Sequence, residues 1–136
     1  MRMAPAPYRH RIDVRYLEVD RQGVVFNMWY LAYFDDAIAG YFAHCGLTYA
    51  ELMAQGYDVM LVHTELDWTA GVGFGDDVAI EVRPEAIGRT SFTLGYRVLK
   101  AGEPVCRART GYVLVGTDGS GKVPIPDRLR PWLTPG

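Results

Sequence analysis

The spacing of apolar residues changes once along this chain, and that change limits the folds that the chain can adopt. Residues 28–45 place apolar side chains three and four apart, which predicts one long helix with a single wide apolar stripe. Gly46 follows at a position where such a helix commonly ends. The residues of the stripe are Tyr30, Phe34, Ala37, Ile38, Tyr41, Phe42 and Cys45.

After this helix, a shorter helix and then only strands are predicted. Thr48 and Glu51 have the spacing of an N-terminal capping box, and Gly56 is expected to end the short helix. Four segments rich in Val, Ile, Tyr, Phe and Thr follow, and turn-like stretches separate them, so each segment is predicted to be a strand. These predicted strands cover residues 57–68, 76–87, 90–101 and 104–116.

A further strand is predicted before the long helix. Ile12, Val14 and Tyr16 alternate with mostly polar residues over residues 9–19, as in a strand with one buried face. The apolar stripe of the helix and the apolar face of the antiparallel sheet must both be buried away from water. A sheet that wraps around the helix buries both surfaces. The expected fold class is therefore α+β.

The length and the charge pattern favour one globular domain. The 136 residues suffice for one core, with residues 1–7 and about 124–136 expected as peripheral tails and a short turn near residues 127–132. The 14 basic and 16 acidic residues are spread without blocks, so no nucleic-acid partner is expected. Neither an apolar run of about 18 residues nor the apolar core of a signal peptide is found. We therefore expect a cytoplasmic protein without a membrane partner.

The cysteines and histidines give no sign of a cofactor. Cys45 and Cys106 lack the spacing of a disulfide framework, so buried free thiols are expected. His10, His44 and His63 are scattered along the chain, so no metal site is predicted, and the first two are expected at the surface.

One acidic residue, Asp20, stands at the junction between the predicted strand and the long helix. In YLEVDRQGVVFNMWY, residues 16–30, Gly23 allows the backbone to turn tightly between Asp20 and the helix. A helix N-terminus offers free N–H groups that stabilise an oxyanion, and a nearby carboxylate can attack a carbonyl or activate water. The spacing leaves two interpretations open, a catalytic carboxylate and a turn-forming aspartate. Glu18 is either a second carboxylate of such a site or an exposed or ion-paired residue.

This segment and the order of elements resemble the 4-hydroxybenzoyl-CoA thioesterase family of hotdog proteins over residues 8–123. The resemblance implies a single hotdog domain, in which a five-stranded antiparallel sheet wraps around one long central helix. It also implies hydrolysis of an acyl-CoA thioester without a cofactor, by a homodimer or by a tetramer made of two dimers. The residues that match the family's motif are Asp20, Gly23, Val24, Val25, Phe26, Asn27 and Tyr30.

The resemblance assigns roles to several of these residues. Asp20 would be the nucleophile or the general base, and this choice stays open. The backbone N–H of Asn27 would polarise the thioester carbonyl, a role that tolerates the His or Tyr that many relatives carry there. Gly23, Phe26 and Tyr30 would line the substrate site together with Tyr33 and Phe34, although a helix stripe of aromatic residues commonly forms only core.

Two further candidates lie on the strands. His63 belongs to a strand that runs near the active cleft in hotdog proteins, or it is a histidine of the rim without a role. Arg89, Thr90 and Ser91 match a stretch that contacts the CoA phosphates, often from the neighbouring subunit, and guanidinium and hydroxyl groups suit phosphate oxygens. The alternative is a turn with a solvated arginine.

Two other functions stay open at this stage. The thioester could be carried by an acyl-carrier protein rather than by free CoA. A hotdog protein could also bind acyl thioesters without hydrolysing them, although the intact pair of Asp20 and Gly23 argues for catalysis.

Overall fold

The computed structural model describes residues 7–136, so most of the expected N-terminal tail, residues 1–6, lies outside the described residues. The strands are β1 (Tyr8–Ile12), β2 (Tyr57–Trp68), β3 (Val78–Ile87), β4 (Ser91–Lys100) and β5 (Glu103–Gly116). The α-helices are α1 (Trp29–His44), α2 (Tyr49–Ala54) and α3 (Arg130–Leu133), and a 3₁₀ turn covers Tyr16–Glu18. The long helix, the short helix and the last four strands are confirmed.

The five strands form one antiparallel sheet in the order β1-β3-β4-β5-β2. Helix α1 packs its apolar stripe on this sheet, with the ring of Phe34 stacked on Tyr96 of β4 at a centroid distance of 4.6 Å. The predicted α+β class, with the sheet around one long helix, is therefore confirmed. Strands β1 and β2 are the two edges, and each has only one hydrogen-bonded neighbour within the described part of the chain.

The short helix α2 begins as its sequence predicts. The hydroxyl of Thr48 accepts a hydrogen bond from the backbone N–H of Glu51 at 3.1 Å, which completes the capping box. Gly46 after α1 and Gly56 after α2 have φ angles of +87° and +91°, where a residue with a Cβ is strained. Both helix ends thus follow from local sequence.

The strand predicted over residues 9–19 is wrong beyond Ile12. Ile12 pairs with Val78, the first residue of β3, so no partner strand remains for the residues that follow. The carboxylate of Glu18 accepts the backbone N–H of Arg15 at 2.8 Å and stabilises a 3₁₀ turn instead. Tyr16, which was expected on the buried face, is consequently 77% exposed.

The C-terminal segment expected to be peripheral contributes to the core. Ile125, Leu129 and Leu133 are buried against it, and the hydroxyl of Tyr41 donates to the backbone carbonyl of Trp132. No helix within residues 7–136 has the length and apolarity to cross a bilayer.

Candidate active site

Asp20 lies in a tight backbone turn between the 3₁₀ turn and α1. The N–H of Asp20 donates to the carbonyl of Val24 at 2.9 Å, and the N–H of Gly23 donates to the carbonyl of Asp20 at 3.0 Å. Gly23 has a φ angle of +80°, which explains why this turn needs a glycine. A bridge between Val19 and Val25 closes the base of the turn and brings residue 20 back toward the start of α1.

The side chain of Asp20 has one oxygen engaged and one free. Its Oδ1 accepts the backbone N–H of Gln22 at 2.8 Å, which is the turn-forming contact that the sequence left open. Within residues 7–136, no donor reaches the second oxygen and no basic side chain pairs with the carboxylate. The turn therefore orients Asp20 and leaves one oxygen available for chemistry.

The start of α1 supplies unused backbone donors beside this turn. The N–H of Phe26 donates to the carbonyl of Glu18 at 2.9 Å, which holds the chain just before the helix. Among the described residues, no acceptor takes the N–H of Asn27 or Met28, and the side chains of both are exposed. The predicted oxyanion donor at Asn27 is thus a free N–H at a helix N-terminus.

Glu18 is an ion-paired residue rather than the second carboxylate of a pair. It is only 4% exposed, and it accepts hydrogen bonds from the N–H and Nε of Arg15 and from the hydroxyl of Tyr33, at 2.8, 3.0 and 2.8 Å. Burial acts to raise the pKa of Glu18, but these hydrogen bonds outweigh burial and hold the pKa below its ordinary value. Glu18 therefore anchors the segment before Asp20 to helix α1.

The aromatic candidates divide into one exposed and several buried residues. Phe26 is 47% exposed, whereas Tyr30 is 1% exposed and its ring lies edge-on to Trp68 of β2. Tyr33 and Phe34 also belong to the buried core. Of these candidates, only Phe26 presents its ring at the surface.

A charged groove of about 620 Å³ borders this region, between the chain that follows β1 and the first half of α1. Burial raises the pKa of Asp35 on its helical wall. Apart from Glu18, the charged residues of the groove, Asp35 among them, could not be selected from the sequence, since isolated charges carry no recognisable spacing. The residues that line the groove are Arg11, Ile12, Asp13, Arg15, Glu18, Trp29, Ala32, Tyr33, Asp35 and Asp36.

The candidates on the strands lie apart from Asp20 within the chain. His63 is 69% exposed on the edge strand β2, with its Nε2 3.7 Å from Glu65. Arg89 and Thr90 form the turn after β3, and Ser91 begins β4. Strand β3 has 10 residues, a span of roughly 30 Å. It runs from the loop at residues 69–77, whose Val72 carbonyl accepts the N–H of Val25 in the Asp20 turn at 2.8 Å, to the turn at Arg89. The fold of one chain therefore does not bring Arg89 and Asp20 together.

Arg130 is a basic residue near this turn that sequence reasoning missed. Its guanidinium donates to the carbonyl of Gly88 at 3.3 Å, and the N–H of Ile125 donates to the carbonyl of Arg89 at 2.9 Å. The C-terminal segment thus folds back onto the turn at residues 88–90. Only this tertiary contact places Arg130 near Arg89, so no local pattern could have selected it.

The remaining polar candidates do not form a metal site. No three His, Cys, Asp or Glu side chains converge as metal ligands within residues 7–136. His10 instead bridges the hydroxyl of Tyr8 and the carboxylate of Asp36, at 2.9 and 3.1 Å. Cys45 and Cys106 are buried free thiols, and burial raises their pKa values to about 11 and about 12.

Comparison with known proteins is decisive for the family. Residues 14–133 match the model of the Thioesterase-like superfamily. The chain belongs to this superfamily. A 1,4-dihydroxy-2-naphthoyl-CoA hydrolase of Synechococcus elongatus is 28% identical to it over 130 residues, covering 94% of this chain and 96% of the relative.

Solved structures of similar proteins agree with this assignment to the Thioesterase-like superfamily. A hypothetical protein of Aquifex aeolicus matches with a TM-score of 0.85 and 27% identity, over 96% of this chain and all 100% of that one. A thioesterase of Thermus thermophilus, solved in complex with coenzyme A and zinc, matches with a TM-score of 0.78 and 26% identity, over 95% and 98% of the two chains. The hotdog fold is confirmed, whereas the narrower 4-hydroxybenzoyl-CoA group stays a prediction.

Proposed function

We propose that this protein is an acyl-CoA thioesterase that hydrolyses the thioester to a free acid and CoA, with Asp20 as the catalytic carboxylate. The observation that carries the proposal is that Asp20 keeps one carboxylate oxygen without a partner, in the turn that precedes the unused N–H of Asn27 at the start of α1. Membership of the Thioesterase-like superfamily supports the reaction class.

The two groups have complementary tasks in this reaction. The N–H of Asn27 donates to the carbonyl oxygen of the thioester and stabilises the negative charge that develops there. Asp20 either attacks the carbonyl carbon, with departure of the CoA thiolate and later hydrolysis of the anhydride, or takes a proton from an attacking water. Both routes consume one water and release the acid and the thiol.

We also infer that the active form is a homodimer or a larger assembly that contains it. Strand β2 leaves one edge unpaired among the described residues, and Met60, Leu61, Val62 and Trp68 on it are exposed apolar residues. In one subunit, β3 separates Arg89 by roughly 30 Å from the loop that contacts the Asp20 turn. A CoA site that uses Arg89, Thr90 and Ser91 is therefore expected to take them from the neighbouring subunit.

A thiol-release assay with a panel of acyl-CoA substrates tests the reaction. The relatives named as 1,4-dihydroxy-2-naphthoyl-CoA hydrolases make aromatic acyl-CoA thioesters the first to include, beside short and long aliphatic ones. Release of CoA with at least one class is expected. Tight binding of acyl-CoA without thiol release would instead identify a protein that only binds thioesters, and a monomeric mass by light scattering would contradict the shared site.

A further inference from the structure

The loop between β2 and β3 supports the turn that carries Asp20. The N–H of Val25 donates to the carbonyl of Val72 at 2.8 Å, and the side chain of Val72 is fully buried. A glycine stands on each side of this contact, Gly71 and Gly73. The backbone of residues 71–73 therefore lies directly against the turn.

Gly71 and Gly73 are glycines because the Asp20 turn packs closely against them, and not because the backbone there needs a left-handed conformation. Neither has a φ angle in the left-handed region, so an alanine would meet no backbone strain at either position. A Cβ on Gly73 would lie 2.9 Å from the carbonyl oxygen of Gly23, and a Cβ on Gly71 would lie 2.9 Å from Cγ1 of Val24. Ordinary contact begins at 3.4 Å, so an added Cβ at either position needs a shift of about 0.5 Å. At Gly73 the opposing atom is backbone of the Asp20 turn, and at Gly71 it belongs to the side chain of Val24.

The loop itself is held to the sheet and is poorly placed to yield. At its start, the N–H of Thr69 donates to the carbonyl of Val105 on β5 at 2.9 Å. Further on, the carboxylate of Asp76 accepts the N–H of Gly73 at 2.6 Å and lies 3.5 Å from the Nζ of Lys100. A side chain at residue 73 would consequently move the Asp20 turn more than it would move the loop.

We propose that Gly71 and Gly73 are positioning residues for Asp20, an inference that rests on the proposed catalytic role of that carboxylate. Displacement of the Gly23 carbonyl passes to Asp20 through the hydrogen bond from the Gly23 N–H, which is 3.0 Å long. The free carboxylate oxygen then loses its alignment with the thioester, while the more distant contacts to the substrate are kept.

The test compares Gly73→Ala with Gly75→Ala in the 136-residue protein, using the most active acyl-CoA of the thiol-release panel. Gly73→Ala is expected to lower kcat by about tenfold or more, because small misplacements of reacting groups are costly, and to leave KM within about twofold. Gly75 lies in the same loop with a φ angle of +88° and no atom within 4 Å of an added Cβ. Its alanine variant is expected to lose Tm through strain but to keep kcat.

A second pair of variants covers the case in which Gly73→Ala does not fold. Gly71→Ala is expected to lower kcat, and Gly71→Ala combined with Val24→Ala is expected to recover part of the loss, since the Cγ1 of Val24 is then absent. Retention of kcat in Gly73→Ala, or a double variant that is no more active than Gly71→Ala, would overturn the positioning role. Asp20→Asn is assayed alongside, because activity retained in that variant rejects the proposed function instead.

Discussion

The buried carboxylate of Glu18 offers a quantitative test of how the segment before Asp20 is held. In Glu18→Gln, the side-chain oxygen keeps the acceptor role toward the Arg15 N–H and the Tyr33 hydroxyl, but the amide NH₂ faces the Nε of Arg15, donor against donor. A hydrogen bond to a charged group contributes about 1.5–3 kcal/mol, and the variant is expected to lose about that amount. The corresponding decrease in Tm is roughly 3–12 °C.

Thermal unfolding followed by circular dichroism measures this loss. Glu103→Gln is the matched control, because Glu103 is an exposed glutamate at the start of β5. Its Tm is expected to stay within about 1 °C of the parent, as is usual for surface substitutions. Equal Tm values for the two variants would refute the view that Glu18 anchors this segment.

The Tm difference between the parent protein and Glu18→Gln is also expected to depend on pH, with a definite sign. The pKa of Glu18 is lowered, because its hydrogen bonds outweigh the burial that acts to raise it. A carboxyl group with a lowered folded pKa stabilises the protein above its unfolded pKa, and this contribution disappears as the pH falls through the folded value. The Tm difference between parent and Glu18→Gln is therefore expected to be full at neutral pH and to shrink below about pH 4. A difference that grows in acid would contradict this.

Two further predictions concern the CoA site and the turn between β4 and β5. Arg89→Ala is expected to raise KM for acyl-CoA more than it lowers kcat, since a contact to a distant phosphate binds ground state and transition state alike. Steady-state kinetics of Arg89→Ala test this, with Arg107→Ala as the control because Arg107 is another exposed arginine. An unchanged KM in Arg89→Ala would mean that Arg89 is only a turn residue. Ala101 and Gly102 have φ angles of 48° and 84°, and a turn of this kind favours Asn at the first position. Ala101→Asn is expected to raise Tm by about 2–4 °C. An unchanged or lower Tm would contradict the left-handed backbone conformation at residue 101.

The elements that rest on local pattern could be predicted from the sequence. The stripe on α1 and the capping box of Thr48 depend on spacings of three and four residues, and the structure contains both. The turn before α1 could be located because Gly23 must adopt a positive φ angle. Apolar alternation failed at Tyr16, because a residue of a strand also needs a partner, and β3 begins opposite Ile12.

The parts of the candidate site that depend on tertiary approach could not be predicted. In the sequence, Gly71 and Gly73 belong to a glycine-rich loop, and only their distance to the Asp20 turn gives them a role. Arg130 likewise comes next to Gly88 through the fold of the C-terminal segment. Asp20 itself was recognised through its motif, but its turn-forming contact and its free oxygen became visible only in the structure.

The central claim is that Asp20 is a reacting group and not only a turn residue. Asp118 provides a close control, because its Oδ1 accepts the N–H of Ser120 at 2.9 Å, just as Oδ1 of Asp20 accepts the N–H of Gln22 at 2.8 Å. Asparagine forms such turns about as well as aspartate, so both Asp→Asn variants are expected to fold with a Tm close to the parent's.

The most direct measurement is therefore kcat of Asp20→Asn and of Asp118→Asn, with Tm recorded for each. Asp20→Asn is expected to lose at least ~10²-fold in kcat, since an amide can neither attack a thioester nor take a proton from water. Asp118→Asn is expected to keep the parent's kcat. A folded Asp20→Asn variant that turns over acyl-CoA at nearly the parent's rate would contradict the account.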